Sequence, residues 1–356
     1  MLADKILLAP YYLILYIRNK FYDKGWKKSY EFETPIICVG NITVGGTGKT
    51  PHIEMLIRMF QTEKRVAVIS RGYKRKTKSY LEVNIDMTSS DCGDEPLQIK
   101  KKFPNVRVVV DSNRKRAIEK FEALDKNERP ELILLDDAYQ YRRVKPSKTL
   151  LLVNYSRPIW KDYLLPLGRL RDLFSQVSRA DAVIVTKVID DIDISVRRRW
   201  RKNLRLREEQ VLFFSKIVYN TVNPVFNKEC DQRYTYAKSA IAFSAIANNN
   251  AFNFNLSEKY QILDSIKFID HHDFTKSDIR KISKMCRKNP ISALITTEKD
   301  AQRLYSKNLP KEIKSRLFYF PIEVEIMPVV NEKDNLVEEE IREKGKQELK
   351  DYLCKR

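Results

Sequence analysis

Gly45, Gly46, Thr47, Gly48, Lys49 and Thr50 follow the apolar run 36–40, and they are the residues best equipped for chemistry. An apolar strand, a glycine-rich turn and then Gly-Lys-Thr is the order of a phosphate-binding loop. Glycine allows positive φ and a close backbone approach to a polyphosphate, and the following helix turns its N–H groups and dipole toward the anion. Lys49 would bridge the β- and γ-phosphates, and the Thr50 hydroxyl would sit on Mg²⁺. Pro51 falls in the first helical turn, where its missing N–H costs nothing. The general pattern has glycine five residues before Gly48; here Thr43 stands there and the glycines are displaced to Gly45 and Gly46. The bland alternative is a glycine-rich strand-to-helix turn without a ligand.

Three further groups could complete such a site. The apolar stretch 132–135 ends in Asp136 and Asp137. After a phosphate loop this reads as the Mg²⁺-supporting strand of a nucleotidase; a helix-capping acid would explain one aspartate more easily than two. Phosphoryl transfer to an alcohol also needs a base. A carboxylate is a weak one unless oriented or paired, and a histidine–aspartate pair is the common answer. Asp94, in Gly93-Asp94-Glu95-Pro96, and His271, beside His272 and between Asp270 and Asp273, are the pair we choose. A structural role for the two histidines is an equal reading. His52, the third histidine, reads as packing. Arg71 and Tyr73 lie in a basic turn after the short apolar run 66–69, at the strand edge where α/β sheets bind ligands.

The elements that must position these residues alternate. Apolar runs at 36–40, 66–69, 106–110, 132–135, 149–153 and 182–185 read as strands, with helical spacing at 51–60, 97–103 and 114–124 between them. The texture changes near residue 211. Segments 211–214 and 217–219 read as hairpin strands, followed by strands at 241–244, 293–297 and 317–321 and helices at 245–252, 275–286 and from 298 onward. The expected fold is α/β: a P-loop NTPase-like, mainly parallel sheet with a second, smaller α/β lobe. We expect an N-terminal membrane-associated helix in 1–30, the kinase-like core in 31–205, the smaller lobe in 206–330 and a charged peripheral tail in 331–356. The apolar run 6–17 is shorter than the roughly 20 residues a spanning helix needs. Arg18, Asn19 and Lys20 after it offer no signal-peptidase site. It lies either in the membrane interface, with tyrosines and basic residues at headgroup level, or on the core.

The 356 residues carry a formal net charge of +20, which calls for an anionic partner: nucleic acid, an anionic membrane surface or a phosphorylated substrate. Five scattered cysteines suggest neither a disulfide framework nor a zinc site.

In motif order, nearly the whole chain resembles the tetraacyldisaccharide 4'-kinases. The resemblance rests on the loop 39–51, Ser70-Arg71-Gly72-Tyr73, Gly93-Asp94-Glu95-Pro96, the segments 136–142 and 166–172, Asp270-His271-His272 and Thr297-Glu298-Lys299-Asp300-Ala301. Thr43 in the loop is the family's own form. The resemblance implies a membrane-associated kinase, peripheral on the cytoplasmic face of a bacterial inner membrane. It would transfer the ATP γ-phosphate, with Mg²⁺, to the 4'-hydroxyl of a tetraacylated glucosamine disaccharide 1-phosphate, a lipid A precursor, and act as a monomer without nucleic acid. It implies cofactor binding by Gly45 to Thr50 and metal binding by Thr50 and Asp136. Asp137 completes the acidic site, Asp94 and His271 form the base dyad, and Arg71, Tyr73 and Arg171 face substrate or the transferred phosphate. Two departures stand out: Ala138-Tyr139-Gln140-Tyr141 where the family usually has Gly-Phe-Gln-His, and Asp172 where it usually has glutamate. The rival reading is a nucleic-acid-binding P-loop ATPase, suggested by the basic run 197–207, whose only aromatic is Trp200. A GTPase ranks last, since Thr186-Lys187 matches only part of the base-recognition tetrad.

Overall fold

The computed structural model describes residues 2–73, 75–77, 79–189, 192–246, 249–270, 272–328 and 338–355. Helix α1 (Leu2–Asp23) opens the chain, followed by β1 (Ile36–Gly40), α2 (Lys49–Phe60) and β2 (Val66–Ser70). Then come the short β3 (Leu81–Glu82), the single turn α3 (Ser89–Cys92) and α4 (Asp94–Lys102). β4 (Arg107–Val110), α5 (Arg114–Glu122), β5 (Leu132–Asp136), β6 (Lys148–Asn154), β7 (Ala182–Thr186), α6 (Ile194–Leu204) and β8 (Val211–Tyr219) follow. Beyond them lie β9 (Asn223–Pro224), β10 (Ser239–Ser244), α7 (Asn250–Ser257), β11 (Gln261–Lys267) and α8 (Lys276–Lys288). β12 (Ala293–Thr297), α9 (Glu298–Leu304), α10 (Lys311–Lys314), β13 (Leu317–Phe320), β14 (Ile322–Met327) and α11 (Glu338–Cys354) complete the order.

Strands β1, β2, β5 and β7 are buried along their whole length. Continuous Val, Ile and Leu runs are what a parallel sheet with both faces covered requires. They form the centre of a nine-stranded sheet in the order β14-β8-β7-β6-β1-β5-β2-β4-β3, parallel except for β14 and β3 at its edges. A five-stranded sheet, β11-β10-β12-β13-β9, stands beside it and is parallel except for β9. In the large sheet Val39 is level with Asp136 and Gly40 with Leu151. The register therefore puts the paired acids beside the start of the glycine loop. The chain leaves β1 toward β2 and returns through β5 to β6 on the other side, so this edge is the topological switch point where such sheets bind ligands.

Several elements differ from the expectations. Residues 211–219 form one strand rather than two arms of a hairpin, because the polar interruption is accommodated within it. Ser215 is buried against His52, and Lys216 pairs with Glu325 across β14 at 3.3 Å. β8 and β14, within the span expected to build the smaller lobe, both belong to the nine-stranded sheet. β11 is an edge strand of alternating exposure whose polar composition conceals it in the sequence. The tail helix α11 buries Leu349 and Leu353 in the main core beside Phe213, and Gly345 lies so close to β14 that a Cβ there would stand 2.0 Å from the Ile326 carbonyl oxygen.

α1, expected either in the membrane interface or on the core, has two unlike faces. Leu8, Tyr11 and Leu15, at helical spacing, pack on the core, and Asn19 is buried behind them. Tyr12, Leu13, Ile14, Tyr16 and Ile17 remain exposed. Among the described residues no helix is long and apolar enough to cross a membrane.

Candidate active site

The loop between β1 and α2 is held from both sides. Gly40 meets Tyr139 so closely that a Cβ there would lie 2.7 Å from the tyrosine Cβ, which makes glycine obligatory at the strand end. Gly45 and Gly48 have φ of +101° and +87°, the left-handed region that glycine enters without strain. Asn41 donates to the Thr47 hydroxyl at 2.7 Å, and Thr186 at the end of β7 donates to the Thr47 carbonyl at 2.9 Å. Val44 N–H donates to the Arg169 carbonyl and Arg171 N–H to that of Ile42, both at 2.8 Å. The ring of His52 lies beneath the loop, with Nδ1 at 2.7 Å from the Gly48 carbonyl and Nε2 at 3.0 Å from the Ser215 hydroxyl. Burial brings its pKa down to about 4. The neutral ring is a structural strut, as its sequence position suggests.

Across the loop, Asp136 and Asp137 have different environments. Asp136 is buried and accepts from the Ser70 hydroxyl at 3.0 Å, while its Oδ1 has no hydrogen-bond partner among the described residues. Burial, then the charges of Glu95 and Asp137, pushes its pKa up to about 7. Asp137 has φ of +47° and turns its carboxylate to Lys49, whose Nζ is 3.8 Å away, and to the Arg171 guanidinium, which donates to both oxygens. Burial opposes ionisation of Asp137, but Lys49 and Arg171 outweigh it and hold the pKa below the usual carboxylate range. Arg171 also donates to the Asn41 carbonyl and side chain, so it braces the loop against the acid.

From the other side of the crevice, α4 and α9 face each other with a row of ion pairs. Glu95 meets Lys299 at 2.9 Å. Burial raises the Glu95 pKa, but Lys299, and after it Lys49, outweigh that and hold it low. Arg303 donates to Asp94 Oδ2 from Nε at 2.8 Å and from a terminal nitrogen at 2.6 Å, and its other terminal nitrogen reaches Asp300 at 2.8 Å. Asp300 is fixed in turn by the Ala245 N–H and the Thr297 hydroxyl. Tyr73, Asp94, Glu95, Lys299, Arg303 and Lys307 line a cavity of about 180 Å³. Its walls come from loops and helices of both sheets.

Of the residues singled out in the sequence, the loop, Asp136, Asp137 and Arg171 come together, and Tyr73 and Asp94 share the neighbouring cavity. Arg71 is exposed and its charge faces Arg114. His271 lies outside the described residues. His272 stacks on Phe268 at 5.0 Å between ring centroids and meets Asp278 Oδ2 at 2.8 Å, which anchors the start of α8. Glu95, Lys299 and Arg303 were not foreseen. The first two lie within quoted motifs, and Arg303, five residues beyond Glu298, would have required knowing that α9 turns that face toward α4.

A family model described as Tetraacyldisaccharide-1-P 4'-kinase, LpxK, matches residues 5–342. The chain belongs to this family. A tetraacyldisaccharide 4'-kinase of Porphyromonas gingivalis strain W83 is 41% identical over 330 residues, covering 91% of this chain and 92% of its own. One from Phocaeicola vulgatus is 42% identical over 316 residues, covering 87% and 86% respectively. Among solved structures, LpxK from Aquifex aeolicus in complex with ATP superposes with a TM-score of 0.68 at 25% identity, covering 99% of this chain and all of that one.

The two departures from the usual family pattern have local explanations. Tyr141 donates from its hydroxyl to Asn113 Oδ1 at 2.9 Å, and its ring lies under the Arg114 guanidinium at 5.1 Å. It thereby orders a cation beside the acid pair without a titrating imidazole. Asp172 is buried and accepts from Asn19 of α1 and from the Leu173 N–H, both at 2.9 Å. A longer glutamate would have to displace one of these partners.

Proposed function

We infer that this protein transfers the γ-phosphate of ATP to the 4'-hydroxyl of a tetraacylated glucosamine disaccharide 1-phosphate in lipid A biosynthesis. Family membership supplies the reaction. The observation that carries it to these residues is the convergence of Lys49, the acid pair and Arg171 at the sheet's switch point. In this proposal Gly45 to Thr50 cradle the phosphates and Lys49 spans the β- and γ-groups. The unpartnered buried oxygen of Asp136 and the Thr50 hydroxyl fit a Mg²⁺ ion. When bound, that ion would neutralise charge on the phosphates. Among the described residues no group of three or more His, Cys, Asp and Glu side chains could hold a metal alone, which suits an ion brought in with the nucleotide.

Asp94 would accept the proton of the 4'-hydroxyl, whose oxygen then attacks the γ-phosphorus as the bond to the β-phosphate oxygen breaks. We assign His271 to support that base. Arg303 holds one carboxylate oxygen of Asp94, and Tyr73 and Arg71 line the approach of the sugar. Arg171 acts through Asp137, which it holds ionised beside Lys49. We place the enzyme, as a monomer, peripherally on the cytoplasmic face of the bacterial inner membrane, with the exposed apolar side of α1 in the leaflet. The smaller unit in this proposal follows the second sheet, 220–321, more closely than the expected break at 205. Binding of nucleic acid loses its one aromatic support, because Trp200 is buried between Tyr155 and Trp160.

The test is purified protein with ATP, Mg²⁺ and the disaccharide 1-phosphate lipid, followed by mass spectrometry. One added phosphoryl group is expected, and none with Lys49→Ala. Steady ATP hydrolysis with the lipid unchanged would refute the assignment.

A further inference from the structure

Lys187, immediately after β7, has no role in the scheme above, yet its placement is unusual. Its backbone sits at φ of +60°, a region that costs a non-glycine residue energy and concentrates at ligand sites. The preceding Thr186 is wholly buried and tied by its hydroxyl to the Thr47 carbonyl, so the end of β7 is stapled to the phosphate loop. The staple carries the Lys187 ammonium over Gly46, where Nζ lies 3.7 Å from the position a Cβ would occupy. No hydrogen bond or ion pair satisfies that ammonium among the described residues. Burial alone lowers its pKa. His52, whose charge would act on it, is kept neutral by burial and offers nothing to balance it. A half-buried ammonium without an anion is costly, and a ligand that supplies the missing charge would offset that cost.

The direction of approach says which part of the ligand that is. Lys49, Asp136 and Asp137 mark the reacting end of the nucleotide, on the β5 side of β1. Lys187 comes from β7, on the opposite side of β1, and reaches over Gly46. It therefore meets the end that does not react. Resting on the reading that this loop binds ATP, we propose that Lys187 is a nucleotide-binding residue that supplies a second ammonium to the α-phosphate end, opposite Lys49. Gly46 leaves the space that this ammonium and the phosphate share.

The experiment compares wild type with Lys187→Met and Lys187→Gln, measuring ADP affinity by calorimetry, KM for ATP, kcat, and melting without nucleotide. Since ADP retains the α-phosphate, the Kd for ADP and the KM for ATP should rise together by roughly 10- to 100-fold, the range for a charge-assisted hydrogen bond, while kcat falls far less. Without nucleotide, Lys187→Met should melt no lower than wild type, because it removes an unpaired buried charge; Lys187→Arg should regain part of the affinity. Unchanged ADP affinity in a folded variant overturns the proposal. So does a loss confined to kcat, which would place Lys187 at the reacting end. Lower melting in both Met and Gln variants, with ADP binding intact after folding, would make Lys187 a packing residue and overturn it as well. A wild-type protein that binds neither ATP nor ADP would instead refute the kinase reading itself.

Discussion

Asp136 and Asp137 show why identity alone does not assign roles at the residue scale. Both follow the same apolar strand, yet one carboxyl is pushed up to about 7 by burial and by the charges of Glu95 and Asp137, while the other is held low by Lys49 and Arg171. The sequence revealed the pair, but it could not separate them, because the difference depends on the depth at which Asp136 is buried, on Glu95 from α4 and on Arg171 beside Asp137. The stability consequence has a definite sign. A carboxyl whose folded pKa lies above its unfolded value, here 3.8, weakens the folded state progressively as pH rises between the two. Asp136→Asn should therefore raise the melting temperature of nucleotide-free protein, with a gain that grows between about pH 4 and pH 7 and levels off above, while turnover is lost. Calorimetry across that pH range checks it; a gain independent of pH would show that Asp136 titrates normally. Under the proposal that Asp136 helps to hold Mg²⁺, the ion's binding should weaken below about pH 7, because it must displace the proton.

At the scale of elements, the strands around the glycine loop were legible because parallel strands buried on both faces are written as uninterrupted apolar runs. What was not legible was contact between helices distant in sequence. Glu95 and Lys299 were visible as motif members and Asp94 as a candidate base, but nothing in spacing says that α4 and α9 face each other. Their interface is ionic: besides the Arg303 and Lys299 pairs, Lys102 lies between Glu54 and Glu298, at 2.7 and 2.9 Å. Arg303, held by the buried Asp300 within α9, joins the two helices at Asp94. Removing it leaves a buried charge, so Arg303→Met alone confounds chemistry with stability. Asp300→Asn combined with Arg303→Met removes that charge too. We expect the double variant to recover most of the melting temperature lost by Arg303→Met, yet to keep kcat depressed by about 10²-fold with KM for ATP little changed. Arg303→Lys should restore stability better than kcat, because an ammonium cannot reproduce the guanidinium fork. Full recovery of kcat in the double variant would reduce Arg303 to a structural tie.

At the scale of the whole molecule, the net charge of +20 pointed to an anionic partner without choosing one, and the fold narrows the choice through α1. The sequence left this helix between membrane interface and core because its apolar residues encircle it. The structure packs one side on the core and leaves the other exposed. Arg18 donates to the Gln140 carbonyl, and Arg142 donates to the Asn19 carbonyl at 3.0 Å and to Asp23 at 2.7 Å. These contacts fasten the C-terminal half of α1 to the loop that follows the acid pair, so deleting the helix would disturb the site and could not isolate a membrane role. The outward side can be changed alone. Leu13, Ile14 and Ile17 are 53%, 63% and 43% exposed, and Lys20, Lys24, Lys27 and Lys28 follow them in sequence. Each such side chain transferred fully from water to hydrocarbon contributes about 1.5–3 kcal/mol, and each lysine near an anionic surface about 1 kcal/mol. Replacing Leu13, Ile14 and Ile17 by serine should therefore cut partition onto anionic vesicles by at least 10²-fold and raise KM for vesicle-borne lipid. Melting temperature and KM for ATP should stay within error. Because the same lysines remain, added salt should lower the partition of variant and wild type by a similar factor. Sedimentation with vesicles at two salt concentrations measures both quantities. Equal partition of variant and wild type would mean that the exposed side of α1 does not enter lipid and that the basic surface alone brings the enzyme to its substrate.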